Sequence, residues 1–526
     1  MPVDDPSLAA LLTMTRIDQV LARGDPDAPC ASFEGRHWTY AVFNEQVDRA
    51  ARALAAAGVQ RGDRLALLCT PRPEYLLLLM AASRIGAVYV GLNPRYTTAE
   101  VAQAIQRVQP RLVLTQRRFE GQDFEVLFEQ AGALASLPPV RAFDDLDSLL
   151  VALHTLPARP AREPMAPDAA LARTAAIVFT SGTTGQPKAA MLTHQGLLLA
   201  AAVQHLRLNP PAPQRPRLLC HLPINHVGCL MNLTLGSLVG GGSVVFLQRF
   251  SAERTLRLVA DEGVNCWLQV PAMFHECVLH PSFDAAALRH VYSVCIGGGA
   301  PSARVIAALR STGAKLFVEY GQTETSSSGA YSDPDASDEV LTHCIGRFDP
   351  RFELRIARPD GMICSVGAVG EIQAHGALLF AGYFGDADAT RAAFTADGWL
   401  HTGDLAEERA DGCIVLRGRL KEMIKSGGYN IYPREVELVL ESHPAVAQVV
   451  VLGLPDERYG EAVHAVLTLR EAAAARAALE ACCRERLANY KVPKTFRVID
   501  RFPLLPNGKI DRVATRAVAA KLAALA

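Results

Sequence analysis

Residues 180–188 read TSGTTGQPK and directly follow the apolar run AAIVF at 175–179. A strand that ends in a loop of glycines and small hydroxylated residues lets backbone N–H groups approach phosphate oxygens closely. Side chains of the same loop add donors and one positive charge, from Thr180, Ser181, Thr183, Thr184 and Lys188. The spacing differs from the common phosphate loop, which needs Gly-Lys-Ser/Thr after a glycine and four further residues. Taken alone, the stretch is either an ordinary surface loop or a phosphate-binding loop of another kind.

The length and charge of the chain set limits on its class. It has 526 residues, of which 50% are hydrophobic and 20% charged, and its formal net charge is −1. A chain of this length exceeds what one hydrophobic core supports, so we expect more than one domain. A net charge near zero provides no global field that attracts nucleic acid or an anionic membrane. We therefore expect no nucleic-acid partner.

Cysteine usage and apolar patterning bear on the cellular location. The twelve cysteines include no C-x-x-C pair, which favours reduced thiols over a zinc site or a disulfide framework. The acidic N-terminal stretch MPVDDPSLAALLTMTRIDQV is not typical of a secretory signal. The most apolar stretch, residues 75–92, is interrupted by Arg84 and Gly86, which favours a helix followed by a buried strand. We expect a cytoplasmic protein without a membrane span.

Apolar runs typical of strands alternate with helical patterns through most of the chain. Examples are RLALLC, AVYVGL, RLVLT, AAIVFT, RLLCHLP, SVVFLQ, NCWLQV, HVYSVCIGGG and KLFVEYG, and the stretch PEYLLLLMAASRIG is typical of a helix. Such alternation predicts parallel sheets covered on both faces, and hence an α/β fold. From about residue 351 to 418, short strands with Gly-rich turns predict a small antiparallel or barrel-like subdomain. The remainder, residues 419–526, is long enough for a small α+β domain.

Four further stretches accompany the loop at 180–188. They are YGQTE (320–324), GWLHTGD (398–404), GRLKEMIKSGGYNIYP (418–433) and PNGKIDR (506–512). Together the five motifs resemble, in order and over nearly the whole chain, the adenylate-forming superfamily and its acyl-CoA synthetase branch. The resemblance implies an N-terminal AMP-binding domain, residues 1–418, with two parallel-type sheets, and a mobile C-terminal lid domain, residues 419–526. It also implies a two-step reaction: a carboxylic acid and ATP give an acyl-adenylate and pyrophosphate, and a thiol then displaces AMP.

The resemblance implies ATP, Mg²⁺ and coenzyme A as ligands and assigns roles to individual residues. Thr323 is similar to the family's phosphate-binding threonine, Glu324 to its magnesium carboxylate, with Thr180 beside it, and Tyr320 to the side chain that stacks on adenine. Asp404 resembles the carboxylate that binds both ribose hydroxyls, and Arg419 the second ribose contact. The full set expected at the nucleotide is Thr180, Ser181, Gly182, Thr183, Thr184, Gly185, Lys188, Gly298, Gly299, Ala300, Glu319, Tyr320, Gly321, Gln322, Thr323, Asp404, Arg419 and Lys509.

Other residues are expected to serve catalysis and the thiol step. Lys421 occupies the family's hinge position, and the strand with Gly427 and Gly428 is similar to the one that lines the pantetheine tunnel. Lys509 is similar to the family's adenylation lysine, whereas Lys425 is either a second-step lysine or a solvated charge beside the hinge. The expected catalytic residues are Lys509, Thr180, Lys188, Glu324, His226 and Lys425.

The sequence narrows the class of carboxylic acid that can be the substrate, without identifying the acid. Amino-acid-activating relatives need a buried carboxylate to pair with the substrate's ammonium, and residues 221–232, HLPINHVGCLMN, contain no acidic residue. His226 in that segment is either part of the pocket wall or a core histidine. Medium-chain fatty, alicyclic and aromatic acids stay open because TSSSGAY (325–331) and the glycines at 297–299 leave room for a chain or a ring.

The thiol acceptor and the competing functions follow from the same motifs. The chain ends at 526 without a carrier domain, so we expect free coenzyme A as acceptor. The alternative is a stand-alone adenylation enzyme that loads a carrier protein. A nucleotide-binding module without catalysis is disfavoured, because it has no chemical need of Lys188, Glu324, Asp404, Arg419 and Lys509 together. The oligomeric state stays open, a homodimer included.

Overall fold

The computed structural model describes residues 6–157, 173–180, 187–211, 214–426, 429–456, 458–470, 476–504 and 510–524. The chain divides into two compact units, Met1–Leu354 with Ala374–Leu400, and Arg355–Gln373 with His401–Ala526. The predicted boundary at residue 418 was placed where the C-terminal domain is expected to rotate. Units defined by contacts in one conformation do not show where a domain rotates, so this boundary stays a prediction.

The first unit contains two large sheets, as the alternating apolar runs predict. The nine-stranded sheet has the spatial order Arg347–Phe348, Ser327–Tyr331, Lys315–Gln322, Ser293–Gly297, Cys266–Gln269, Arg217–Cys220, Ser243–Phe246, Pro29–Phe33 and Arg36–Thr39. The six-stranded sheet has the order Lys188–Thr193, Thr174–Thr180, Val88–Leu92, Arg64–Leu68, Leu112–Gln116 and Val140–Phe143. Arg118–Phe119 and Gln122–Asp123 form a small hairpin.

Strand pairing is parallel inside both sheets and antiparallel at three of their edges. One of these edges is the hairpin formed by Thr174–Thr180 and Lys188–Thr193. The connection of residues 181–187 is too short for the helical crossover that a parallel pair requires. The short loop therefore dictates an antiparallel partner, a feature that the prediction of parallel sheets did not include.

Helices pack on both sheets of the first unit. They are Pro6–Leu11, Tyr40–Ala56, Pro73–Ile85, Thr98–Val108, Phe124–Gly132, Leu146–His154, His194–Leu208, Gly236–Leu238, Ala252–Asp261, Pro271–Leu279, Ala303–Arg310, Asp338–His343 and Ala387–Ala392, with 3₁₀ turns at Ile17–Arg23 and Thr323–Thr325. Gly228–Leu235 is a π-helix. Pro73–Ile85 and His194–Leu208 are buried around almost their whole circumference, as expected of helices in the centre of a core. The largest hydrophobic cluster contains residues of both helices.

The second unit contains the predicted short strands and the α+β segment. A four-stranded sheet, most of whose residues belong to this unit, has the order Glu353–Ala357, Gly370–His375, Leu400–Glu408 and Ile414–Arg419. A five-stranded sheet has the order Tyr429–Ile431, Ile424–Ser426, Gly460–Leu469 and Val446–Asp456, with Thr495–Val498 paired to Gly460–Leu469. The helices are Pro433–Glu441, Arg476–Arg486 and Arg512–Ala524, with 3₁₀ turns at Leu420–Glu422 and Asn489–Lys491. In the described part of the chain, no helix combines the length and the apolar character needed to cross a bilayer.

Candidate active site

The hairpin at 174–193 fixes the two ends of the loop that is expected to bind phosphate. Thr180 ends the first strand, Lys188 begins the second, and the two residues are directly paired across the hairpin. Both are partly exposed, whereas most of the two strands is buried. The loop residues between them that were expected at the phosphates lie outside the described residues, namely Ser181, Gly182, Thr183, Thr184 and Gly185.

Tyr383 joins two of the predicted residues, Lys188 and Glu324. Its hydroxyl donates a hydrogen bond of 2.8 Å to Oε1 of Glu324. Nζ of Lys188 lies over the same ring, 4.7 Å from its centroid, which is a cation–π contact. Burial and the adjacent Glu324 carboxylate raise the pKa of Tyr383 far above its usual value. The phenol therefore stays protonated and remains a donor to Glu324.

The backbone around Tyr383 is held by the hairpin and by the turn that carries Glu324. Residues 381–384 hydrogen-bond to the edge strand Lys188–Thr193, with N–O distances of 2.7, 2.9 and 2.8 Å. The N–H of Phe380 donates to the backbone oxygen of Glu324 at 2.9 Å, and the Phe380 ring packs edge-on against Tyr383 at 4.9 Å. This segment is not part of any of the five motifs. Sequence analysis missed Tyr383, since its contact to Glu324 spans 59 residues.

The turn that follows Glu324 is strained. Ser326 and Ser327 have φ values of 54° and 97°, in the left-handed region that favours glycine. Such residues cost on the order of 1–3 kcal/mol each and are maintained only where the surroundings determine them. Hydrogen bonds from Ser326 Oγ to the oxygen of Leu378 at 2.9 Å, and from Ser327 Oγ to Oδ1 of Asn232 at 2.5 Å, hold this conformation.

Gly321 of YGQTE is required by close packing against the same turn. A Cβ at this position would lie 1.7 Å from the backbone oxygen of Ser327. The strand pairing also shifts register between Tyr320 and Gly321. Gln322 and Thr323 follow at once, and Thr323 opens the 3₁₀ turn that contains Glu324.

The predicted glycine turn follows the neighbouring parallel strand. Ser293–Gly297 ends at Gly297, which pairs with Glu319, and Gly298, Gly299 and Ala300 are exposed. Ser302 then caps the helix Ala303–Arg310. The glycines and Glu324 thus follow the carboxyl ends of adjacent strands, and Tyr320 lies in the last turn of pairing before one of these ends, which is where open α/β sheets bind ligands.

Glu319, which the resemblance placed at the nucleotide, faces the segment 221–232 and is partly exposed. Nδ2 of Asn232 lies 3.1 Å from each of its carboxylate oxygens, and the Ser328 hydroxyl donates to Oε2 at 2.8 Å. Burial raises the pKa of Glu319 to about 7, against hydrogen bonds from Ser328 and Cys295 that lower it. Alternate strand residues face opposite sides, so the side chain of Tyr320 lies on the other face of the sheet.

His226 is partly exposed beside the same segment. Its Nδ1 accepts a 3.0 Å hydrogen bond from the backbone N–H of Gly228 at the start of the π-helix. An accepting Nδ1 leaves the proton of neutral imidazole on Nε2. The structure thus gives His226 a fixed orientation, while its role as pocket wall or core residue stays a prediction.

The second unit brings together the two predicted ribose contacts. Asp404 and Arg419 are cross-strand partners, and Nε of Arg419 lies 3.0 Å from Oδ1 of Asp404. Asp404 is buried and Arg419 is exposed. Lys421 is exposed in the 3₁₀ turn Leu420–Glu422.

The residues expected at the thiol step are only partly described. Lys425 is exposed in the strand Ile424–Ser426, and its backbone N–H donates to Glu461 at 2.9 Å. Gly427, Gly428 and Lys509 lie outside the described residues. Their predicted roles therefore stay predictions.

Glu324 has the features of a magnesium ligand. Its Oε1 is held by Tyr383, and its Oε2 has no hydrogen-bond partner within the described residues. Across the same part of the chain, no three or more His, Cys, Asp or Glu residues form a preassembled metal cluster. One carboxylate, completed by waters and substrate phosphates, is a common arrangement for Mg²⁺, so Glu324 and the Thr180 hydroxyl fit this ion.

These features define an α/β protein in which a lysine and a carboxylate meet at one tyrosine, beside the loop expected to bind phosphate. The chain belongs to the AMP-binding enzyme family: the family model matches residues 19–384, and the model of its C-terminal domain matches residues 435–509. This confirms the resemblance to the adenylate-forming superfamily.

Named relatives extend over nearly the whole chain. An indoleacetate–CoA ligase of Aromatoleum aromaticum is 34% identical over 94% of this chain and 96% of its own length. A medium/long-chain-fatty-acid–CoA ligase of Mycobacterium tuberculosis is 32% identical over 90% of this chain and 84% of its own. The solved o-succinylbenzoate CoA synthetase of Bacillus subtilis, in complex with an acyl-adenylate intermediate, is 30% identical with a TM-score of 0.79, covering 95% of this chain and 98% of that one.

Proposed function

We propose that this protein is an ATP-dependent, Mg²⁺-dependent carboxylate–CoA ligase that forms an acyl-adenylate and then an acyl-CoA thioester. The observation that carries the proposal is the group Lys188, Tyr383 and Glu324 at the phosphate hairpin. The named relatives act on fatty and aromatic acids, which supports a fatty, alicyclic or aromatic carboxylic acid as the substrate.

In the first half-reaction two anions, the carboxylate and the triphosphate, have to approach each other. Lys188 supplies a positive charge at the end of the phosphate hairpin, and Tyr383 keeps that charge and Glu324 in place. Glu324 and Thr180 would hold Mg²⁺, which neutralises phosphate charge and stabilises the leaving pyrophosphate when bound. Thr323 is proposed to bind phosphate oxygens, and Tyr320 to stack on the adenine.

Asp404, Arg419 and Lys509 are proposed to complete the nucleotide site. The buried Asp404 carboxylate offers two acceptor oxygens, which matches the two hydroxyls of a ribose. Lys509 is proposed to carry a compact positive charge for the adenylation step. For the second step we propose that Lys421 is the hinge, that Gly427 and Gly428 line the path of the thiol, and that Lys425 assists the transfer to coenzyme A.

We further propose a cytoplasmic location, which is supported by twelve cysteines that are all free thiols. A stand-alone adenylation enzyme that loads a carrier protein is the alternative function. It differs from the proposed function only in the thiol that accepts the acyl group.

Acid-dependent ATP–pyrophosphate exchange tests the proposal. A panel of medium-chain fatty, alicyclic and aromatic acids should include at least one that supports exchange and that gives an acyl-CoA when coenzyme A is added. Exchange without any thioester, combined with acylation of a purified carrier protein, would favour the alternative function. Failure of every acid to support exchange would refute adenylate formation.

A further inference from the structure

A polar cluster lies behind the glycine turn, between the nine-stranded sheet and the π-helix. It comprises Gln204, Asn232, Glu319, Ser327 and Ser328. Four of its five members are buried, and Glu319 is the member that keeps accessible surface. Glu319 is therefore the member of the cluster that a small molecule can reach.

The carboxylate of Glu319 has no cationic partner. Within the described residues no Lys, Arg or His lies within ion-pair distance of it, and its donors are the neutral Asn232, Ser328 and Cys295. A carboxylate offers about four acceptor positions. One O–H, one weak S–H and one shared N–H leave part of this capacity unused, and unused capacity on a desolvated carboxylate is costly.

The Asn232 amide is already overcommitted. Its Nδ2 lies within 3.2 Å of four acceptor atoms: Oε1 of Gln204 at 2.9 Å, both oxygens of Glu319 at 3.1 Å and Oγ of Ser328 at 3.2 Å. An amide nitrogen carries only two hydrogens. Asn232 therefore cannot donate to Glu319, Gln204 and Ser328 together.

Three features of the backbone hold Asn232 and Glu319 in these positions. Asn232 belongs to the π-helix Gly228–Leu235, a rare conformation that frequently occurs at functional sites. Nε2 of Gln204 donates to the backbone oxygen of Asn232 at 2.7 Å. A Cβ on Gly297 would lie 2.6 Å from Oε1 of Glu319, so the glycine makes room for the carboxylate.

We propose that Glu319 lines the acid-binding pocket and that the carboxylic acid substrate carries a hydrogen-bond donor, a hydroxyl or an N–H, which binds this acceptor. The inference rests on the proposed ligase function and narrows its substrate class. Sequence analysis found no acidic residue in the segment 221–232, whereas the fold places one against it from another strand, 87 residues away.

Shape-matched pairs of acids test the inference. ω-Hydroxyoctanoate is compared with nonanoate, and indole-3-acetate with benzofuran-3-acetate, in ATP–pyrophosphate exchange with the full-length protein. A hydrogen bond to a charged group predicts that kcat/KM favours the donor-bearing acid of at least one pair by about ten- to hundredfold. Glu319→Leu should abolish or invert this ratio, whereas Glu45→Gln, on the exposed face of helix Tyr40–Ala56, should leave it unchanged.

Two outcomes would overturn the inference. One is wild-type protein that activates both members of every pair equally or prefers the apolar member. The other is a Glu319→Leu variant that keeps the wild-type ratio. Glu319→Gln, which keeps the shape of the side chain and should reduce the ratio, covers the case in which the leucine variant does not fold. Calorimetric binding of the same acids separates the two proposals, because donor-selective binding without exchange would refute the ligase function and retain the pocket.

Discussion

Replacing Tyr383 by Phe removes one hydroxyl and leaves the ring that Lys188 contacts. The lost interaction is the 2.8 Å hydrogen bond to the Glu324 carboxylate, the proposed magnesium ligand. Groups that orient a metal ligand typically contribute ten- to a hundredfold in metal affinity or activity. We expect Tyr383→Phe to raise the Mg²⁺ concentration needed for half-maximal exchange by about this factor, with a smaller effect on the KM for ATP.

Tyr383→Leu removes the ring as well, and with it the cation–π contact that holds Lys188, for which about 0.5–2 kcal/mol is typical. This variant should therefore also raise the KM for ATP. Binding of Mn²⁺ in the presence of ATP, followed by electron paramagnetic resonance, gives a readout that does not depend on turnover.

Tyr292 provides a matched control for this series. Its hydroxyl accepts a hydrogen bond from Lys315 at 2.8 Å, and the same lysine lies 4.6 Å from its ring centroid. It immediately precedes the strand Ser293–Gly297, at the end away from the glycine turn. Tyr292→Phe should leave the Mg²⁺ dependence unchanged. A Tyr383→Phe variant with wild-type Mg²⁺ dependence and wild-type Mn²⁺ binding would refute the positioning role.

The remaining predictions concern the two half-reactions and stability. Glu324→Gln keeps shape and removes charge, so initial rates of exchange should fall by roughly a thousandfold. Lys509→Ala should abolish exchange, while pre-made acyl-adenylate and coenzyme A still yield thioester in a single-turnover assay. Gly428→Trp should spare exchange and block thioester formation, measured in the same two assays. Burial raises the pKa of Glu319 from 4.5 to about 7, so its stabilising contribution is full below the unfolded value and is lost as pH rises through 7. Urea unfolding should therefore show Glu319→Gln gaining about 3 kcal/mol over wild type between about pH 4 and about pH 8.

Each of these predictions has an outcome that contradicts it. If Glu324→Gln lowers the exchange rate by less than about tenfold and leaves the Mg²⁺ dependence unaltered, Glu324 has only a structural role. If Lys509→Ala slows both half-reactions equally, Lys509 does not act in adenylation alone. If Gly428→Trp leaves thioester formation unchanged, Gly428 does not line the thiol path. A stability difference for Glu319→Gln that does not vary with pH would show that this carboxyl has an ordinary pKa in the folded protein.

Some positions in the candidate site could be predicted because the residues concerned are neighbours in sequence. The hydroxyl-rich loop and YGQTE each place their residues at the end of one strand, and the cross-strand pair of Asp404 and Arg419 needs only a short connection. Local sequence is enough in such cases, because strand alternation and turn chemistry fix where the side chains lie.

Tyr383 and the Glu319 cluster were not predictable in the same way. Their partners are 59 and 87 residues distant in sequence, and the contacts arise only when separate strands and helices pack together. The π-helix was equally hidden, since residues 228–235 read as an ordinary apolar stretch. Backbone register and long-range packing decide these features, and neither is visible in a motif.

The π-helix also bears on how relatives of this protein can diverge. A π-turn contains one more residue than an α-turn, so deletion of one residue within Gly228–Leu235 would restore ordinary helical hydrogen bonding there. Residues on one side of the deletion would rotate about the helix axis by about 100° relative to the other. Where the rotated side includes Asn232, its amide would turn away from Glu319. The loss of a single codon, without any substitution, would thus remove the amide donor from the polar cluster.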